Sequence, residues 1–302
     1  MADVTLLDII KANNADAVAG LIDESAKAHP EFMSLFSRTI KGLNYKTLVR
    51  TGLPTVAFRN VNEGVATSKG TYVNKLVETF ILAMPWQADK AAADAYEDGA
   101  EAYCALEASG IIEAGFQHAA SQIYYGVSAD DKGFAGFVAQ VDSSMVLDAG
   151  GTTASTGSSV WAVRSNPKDA ALVIGQNGEL AVSDVYSQRV LDDSSNPYVA
   201  YCQDLNAYLG LQIGNKYSIG QIKDLTEDSG KGLTDDLLAK LIELFPVGKL
   251  PDFFFMNRRS LRQLRNSRTA TNPTGMPAPF PTEALGIPIM VTDAITSTET
   301  LS

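Results

Sequence analysis

KAAADAYEDGAEAYCALEASGIIEAGFQHAASQIYY, residues 90–125, is the stretch on which the fold turns. It contains no proline. Tyr96, Ala100, Tyr103, Cys104, Ile111, Ile112, Phe116, Ala119, Ile123 and Tyr124 fall near one broad face at helical spacing. Asp89, Asp94, Glu97, Asp98 and Glu101 crowd its start, where the helix dipole favours negative charge. Gly126 follows as a natural C-terminal cap. The pattern predicts one helix of about 36 residues, roughly 54 Å long and about three times the usual length.

Working outward, Tyr45 to Pro85 reads as two extended arms around the turn-rich stretch Asn60-Val-Asn-Glu-Gly-Val-Ala-Thr-Ser-Lys-Gly70. The returning arm, Thr71 to Met84, is rich in the residue types enriched in strands. A two-stranded hairpin is marginal by itself, so this one needs support from another element or another chain. A helix and a hairpin that both outreach a compact core point to a protein built to touch its neighbours.

Before the hairpin, Val4 to Ala28 carries an apolar stripe at helical spacing, and Glu31 to Thr39 reads as a second short helix. After the long helix, Asp148 to Ser159 is a Gly- and Ser-rich loop. Strand signals follow at Ser159–Arg164, Ala171–Ile174, Glu179–Leu191, Tyr198–Leu211 and Tyr217–Leu225. Leu233 to Phe245 is a helix with Thr234 as its N-cap. Phe253 to Met256 is a short buried strand, Asn257 to Arg268 a basic helix, and Ile287 to Asp293 a last strand after a Pro-rich loop.

Composition excludes more than it assigns. A net charge of −11 argues against general adhesion to nucleic acid or anionic membrane. No apolar run approaches the ~18 residues of a transmembrane span, and the start Met-Ala-Asp-Val-Thr lacks the basic region of a signal peptide. Cys104 and Cys202 sit in no metal-ligand or redox spacing and read as buried thiols.

Chemistry is sparse. Neither His29 nor His118 has a motif-placed nucleophile, and no phosphate loop or dinucleotide fingerprint occurs. The sequence therefore points to no catalytic residue, cofactor or metal site. One cationic cluster stands out: Arg258, Arg259, Arg262, Arg265 and Arg268, with Arg258, Arg262 and Arg265 on one helical face. It suits ion pairs within or between subunits better than nucleic acid, since no aromatic residue interleaves the arginines.

The order of elements resembles the major capsid protein of tailed bacteriophages, the shell fold shared with encapsulins. The resemblance rests on Thr71 to Ala92 entering the long helix, and on Ala114-Gly-Phe-Gln-His-Ala-Ala-Ser-Gln-Ile-Tyr-Tyr-Gly126 followed by Gly133-Phe-Ala-Gly-Phe137. Ser158-Ser-Val-Trp-Ala-Val-Arg164, Phe254-Phe-Met-Asn-Arg-Arg-Ser-Leu-Arg-Gln-Leu264 and Leu285-Gly-Ile-Pro-Ile-Met-Val-Thr-Asp-Ala294 extend it. It implies an α+β fold: residues 1–44 as an N-terminal arm, 45–85 as an extended hairpin loop, and 86–165 as a peripheral domain with its spine helix at 90–125. Residues 166–302 would form the axial domain plus returning peripheral strands.

The resemblance implies a structural protein that self-assembles into hexamers and pentamers of an icosahedral shell around double-stranded DNA, with no enzymatic activity. Its implied partners are its own copies, a separate scaffolding protein, a portal, a decoration protein and packaged DNA held without sequence-specific binding. No membrane is involved. Its place is the virion, assembled in the host cytoplasm. An encapsulin-like shell and a nucleic-acid-binding module using Arg258–Arg268 are the alternatives. Candidate intersubunit contacts are Asn60, Glu63, Lys69 and Lys75 in the hairpin and Arg258, Arg259, Arg262, Arg265 and Arg268 in the basic helix.

Overall fold

A computed structural model describes residues 27, 29–178, 180–272 and 276–301. The helix expected over Val4 to Ala28 lies outside the described residues, apart from Lys27.

The centre is a six-stranded sheet in the order Glu283–Ala284, Ile287–Val291, Phe253–Met256, Ser158–Val163, Ile219–Leu225, Val146–Asp148. Its middle strand, Ser158–Val163, is buried along its whole length and pairs antiparallel on both sides. A strand covered on both faces has no need for polar alternation, which explains its near-continuous apolar sequence. Val160 and Ala162 face one way, into a core with Leu238, Leu241 and Leu264 from the two C-terminal helices. Trp161 and Val163 face the other way, into a core with Ile123 and Tyr124 of the long helix.

A five-stranded sheet lies beyond that second core. It runs Phe36–Thr39, Ala170–Ile174, Leu205–Ile213, Phe80–Ala83, with Ala181–Val182 also on Leu205–Ile213. A three-stranded sheet joins Tyr186–Leu191, Pro197–Gln203 and Trp86–Asp89. A third, smaller core forms where Trp86, Ala88 and Leu205 meet Tyr103 and Cys104 at the start of the long helix. Both cysteines are buried and free.

The long helix is not continuous from Lys90. Lys90–Ala93 forms one turn, and the main helix is Ala100–Tyr125, 26 residues and about 39 Å. The break has a local cause. Gly99 takes φ 93 and ψ 161, a conformation that other residues rarely adopt. Asp89 caps the short turn through Ala91 N–H and Ala92 N–H, and Asp94 is held by Lys90 and by the Tyr201 hydroxyl at 3.1 Å. The shorter helix still links two cores, from Tyr103 to Tyr124. At its end Gly126, φ 55, lets the chain pass so close to Gly136 that a Cβ there would lie 2.2 Å from the Gly136 nitrogen.

Three other expectations need correction. The helix expected over Glu31 to Thr39 is only Glu31–Ser34; Phe36–Thr39 instead adds a parallel strand to Ala170–Ile174. The strand expected over Glu179 to Leu191 divides into Ala181–Val182 and Tyr186–Leu191, which belong to different sheets. The strand expected over Tyr198 to Leu211 breaks at Asp204, whose N–H bonds the Ser183 hydroxyl and whose carboxylate accepts from the Tyr186 hydroxyl. Those bonds turn the chain from the three-stranded sheet into the five-stranded one. The helix at Asp235–Glu243 carries the expected cap, Thr234 accepting from Leu237 N–H.

Candidate assembly surface

The hairpin is firm at its base and bare at its tip. Asn44–Gly52 pairs antiparallel with Thr71–Glu78, from Asn44 opposite Glu78 to Gly52 opposite Thr71, with an irregularity between Arg50 and Gly52. At the base, Val77 is buried, the Tyr45 hydroxyl donates to Gln212 Oε1 at 2.5 Å, and Lys75 Nζ donates to the Ile213 carbonyl at 2.7 Å. Burial pushes the Lys75 ammonium below, and the Tyr45 hydroxyl above, their ordinary values. These contacts tie the hairpin to the strand Leu205–Ile213.

Beyond Gly52 the pairing stops. Residues 53–70 hold themselves by a few polar bonds: Ser68 bridges both backbone groups of Thr55, Arg59 reaches the Glu63 carbonyl, and Asn60 N–H donates to the Glu63 carboxylate. Asn62 takes φ 67 in that turn, a conformation asparagine tolerates. Leu53, Val56, Phe58 and Val61 are almost wholly exposed. Lys69 is exposed on the returning side. Apolar residues left uncovered on a projecting element mark an interaction site.

The basic helix, Arg258–Ala270, is employed differently. Asn257 caps it by accepting from Ser260 N–H, while its amide donates to Thr296 and Ser297. Arg258 pairs with Asp293 at 2.6 Å and Arg262 with Glu227 at 2.5 Å. Arg268 reaches Asp235 at 2.6 Å, which raises its already high pKa. Arg259 donates to the Leu225 and Ser297 carbonyls, and Arg265 donates to the Ala278 carbonyl while stacking on Phe280. All five arginines thus have partners inside the chain, with Arg258 and Arg262 still more than half exposed.

Sequence reasoning missed three carboxylates, Glu31 and Asp169 buried and Glu299 partly so. Glu31 is fully buried and accepts from the Tyr124 hydroxyl at 2.9 Å, and burial beside that carboxylate pushes the tyrosine well above its ordinary value. Glu299 accepts from Ser159 at 2.6 Å and from Tyr125 at 2.7 Å; burial raises its pKa. Asp169, also buried, gathers Arg164, Asn166, Asn215 and Ser218. Apart from Arg164 and Asn166, the partners lie far apart in sequence, so no spacing could have revealed them. Each of these groups clasps separate segments rather than lining a cleft. His29 meets Glu113 at 3.3 Å and His118 meets Asp130 at 3.2 Å. Among the described residues no cluster could hold a metal ion, and no helix is long and apolar enough to cross a membrane.

A sequence profile of the major capsid protein GP7 family matches residues 32–301, which takes in the hairpin, the long helix and all four sheets. The chain belongs to that family of major capsid proteins. Its fold is that of the tailed-phage capsid proteins. A chain of bacteriophage Epsilon15 superposes with a TM-score of 0.68 at 20% identity, covering 99% of this chain and 97% of that one. A chain of the bacteriophage JBD30 capsid does so with a TM-score of 0.50 at 8% identity, covering 97% and 99%. No curated protein matches the chain in sequence. This capsid protein is therefore a structural, shell-forming component of the virion.

Proposed function

We propose that this capsid protein assembles as hexamers and pentamers of an icosahedral shell around double-stranded DNA, and that the hairpin tip is the limb with which each subunit grips its neighbour. The observation that carries the reading is the contrast within the hairpin: a base bonded to Gln212 and Ile213, and a tip whose Leu53, Val56, Phe58 and Val61 have no cover. Many moderate contacts of this kind add up around a closed lattice, so none need be strong alone. Such a lattice uses heterologous contacts that return on themselves.

Asn60, Glu63 and Lys69 are the proposed tip contacts. Lys75 and the five arginines act first within the subunit, by the bonds described above, and meet a neighbour only through their outer edges. Residues 1–44 serve as the arm, 45–85 as the hairpin loop, 86–165 as the peripheral domain and 166–302 as the axial domain with returning strands. Assembly takes place in the host cytoplasm with a separate scaffolding protein and a portal. The negative balance of the chain keeps packaged DNA from adhering strongly to the shell.

The test is deletion of residues 60–70 in the full chain, with shells counted by velocity sedimentation beside wild type. A folded subunit that no longer forms shells is the expected result. Normal shells would overturn the role given to the tip.

A further inference from the structure

We propose that a cationic cleft under the hairpin receives the acidic start of the long helix of a second copy of this chain, head to tail. The proposal rests on the shell-forming reading and names one of the contacts that build the shell. The cleft, about 870 Å³, opens between the hairpin strand at Thr47–Thr51 and the turns at 167–168 and 214–217. Arg50, Lys168, Lys216 and Lys249 line it, against the single carboxylate of Asp142. In a chain with 35 acidic and 24 basic residues, four cations to one carboxylate is a marked local reversal. All four cations are exposed, and none forms an ion pair among the described residues. Asp142 is itself occupied: Ser144 donates to it from both its hydroxyl and its N–H, and these bonds, with a smaller contribution from the nearby Lys216 ammonium, hold its carboxyl below the ordinary range.

The complementary charge lies elsewhere on the same molecule. Between Asp94 and Glu107 the chain carries Asp94, Glu97, Asp98, Glu101 and Glu107 and no lysine or arginine. Asp94, Glu97, Asp98 and Glu101 are exposed. Asp94 bonds the Tyr201 hydroxyl, and Glu101 shares a hollow with Tyr201 and Gln203. The acidic patch therefore sits at the start of the strand Leu205–Ile213, and the cationic cleft sits just past its end, at Gly214 to Tyr217. A nine-residue strand separates them by about 27 Å. That is several times the ~8 Å screening length at physiological salt, so the two patches cannot neutralise one another within one subunit. Opposite charges at opposite ends of one subunit are satisfied when copies pack head to tail, which is the heterologous geometry that closes a ring. Like-charge contacts at the same surfaces would disfavour other packings.

Three variants of the full chain test this: K168E/K216E, D98K/E101K and the four changes combined, each compared with wild type by velocity sedimentation for shell yield and by thermal melting. The altered side chains are exposed, so all four proteins should fold; the two carrying D98K/E101K should melt a few degrees lower, because they lose carboxylates that the helix dipole favours. Each pair alone should lower shell yield about tenfold or more, and the combined swap should restore it. The proposal is overturned if neither pair affects yield, or if both do and the combination gives no rescue. It is also overturned if K168E/K216E gives normal shells that retain less DNA, because the cleft would then serve nucleic acid. All four proteins are produced together with the scaffolding protein, and absence of shells from wild type under those conditions would instead count against the shell-forming reading itself.

Discussion

Phe58 and Trp161 are both large aromatic residues, yet one is fully exposed and the other is 1% exposed. Trp161 packs against Phe137 in a core closed by helices on both faces of its sheet. Phe58 stands on a tip that none of the described residues covers. Fully burying such a side chain contributes roughly 1.5–3 kcal/mol. The sheet collects that contribution on folding, and the hairpin tip can collect it only on assembly. Stability of the subunit and cohesion of the shell are thereby placed in different parts of one chain.

The largest expected effect breaks the comparison if it is wrong. Trp161→Ala should destabilise the subunit by about 3–5 kcal/mol in urea unfolding. Phe58→Ala should leave that curve unchanged and lower shell yield instead. Equal losses of stability in both would mean that the tip belongs to the folded core.

A second pair sharpens the comparison along the long helix. Gly126→Ala would set a Cβ 2.2 Å from the rigid backbone at Gly136, with φ 55 adding strain, and should cost about 2–3 kcal/mol. Gly115→Ala would set a Cβ 2.1 Å from the sulfur of Met84, inside a buried but flexible side chain that can change rotamer where the Gly136 backbone cannot, and should cost less than Gly126→Ala. Urea midpoints of the two variants check the order.

The smallest effect concerns pH. Burial raises the Glu299 pKa, so the folded chain holds this proton more tightly than the unfolded chain does. The resulting stability is full below the ordinary glutamate value of about 4.3 and is lost as pH rises through the raised folded value. Melting temperature should therefore depend on pH across that window by a few degrees, and Glu299→Gln should flatten the dependence. An unchanged profile in the variant would remove Glu299 as its source.

What the sequence made legible follows the same division. The hairpin, the strand expected over Ser159–Arg164 and found at Ser158–Val163, and the caps at Thr234 and Gly126 were readable because local pattern and turn chemistry determine them. The break at Gly99 was not, because a lone glycine inside a helical pattern does not announce a positive φ, and Tyr201, which holds Asp94 there, comes a hundred residues later. The break at Asp204 depends on Ser183 and Tyr186 in the same way. The arginine face was readable as a cluster, but its partners Glu227, Asp235 and Asp293 could be found only in three dimensions. The cationic cleft draws on the hairpin, two turns and Lys249, and no single window of sequence contains it.

Hydrogen exchange resolved by residue, on the free subunit and on assembled shells, tests the central claim most directly. Amides of residues 53–70 should exchange freely in the subunit and become protected in the shell, while those of Ser158–Val163 stay protected in both. Tip amides that are already protected in the free subunit, or that remain unprotected in the shell, would contradict the account.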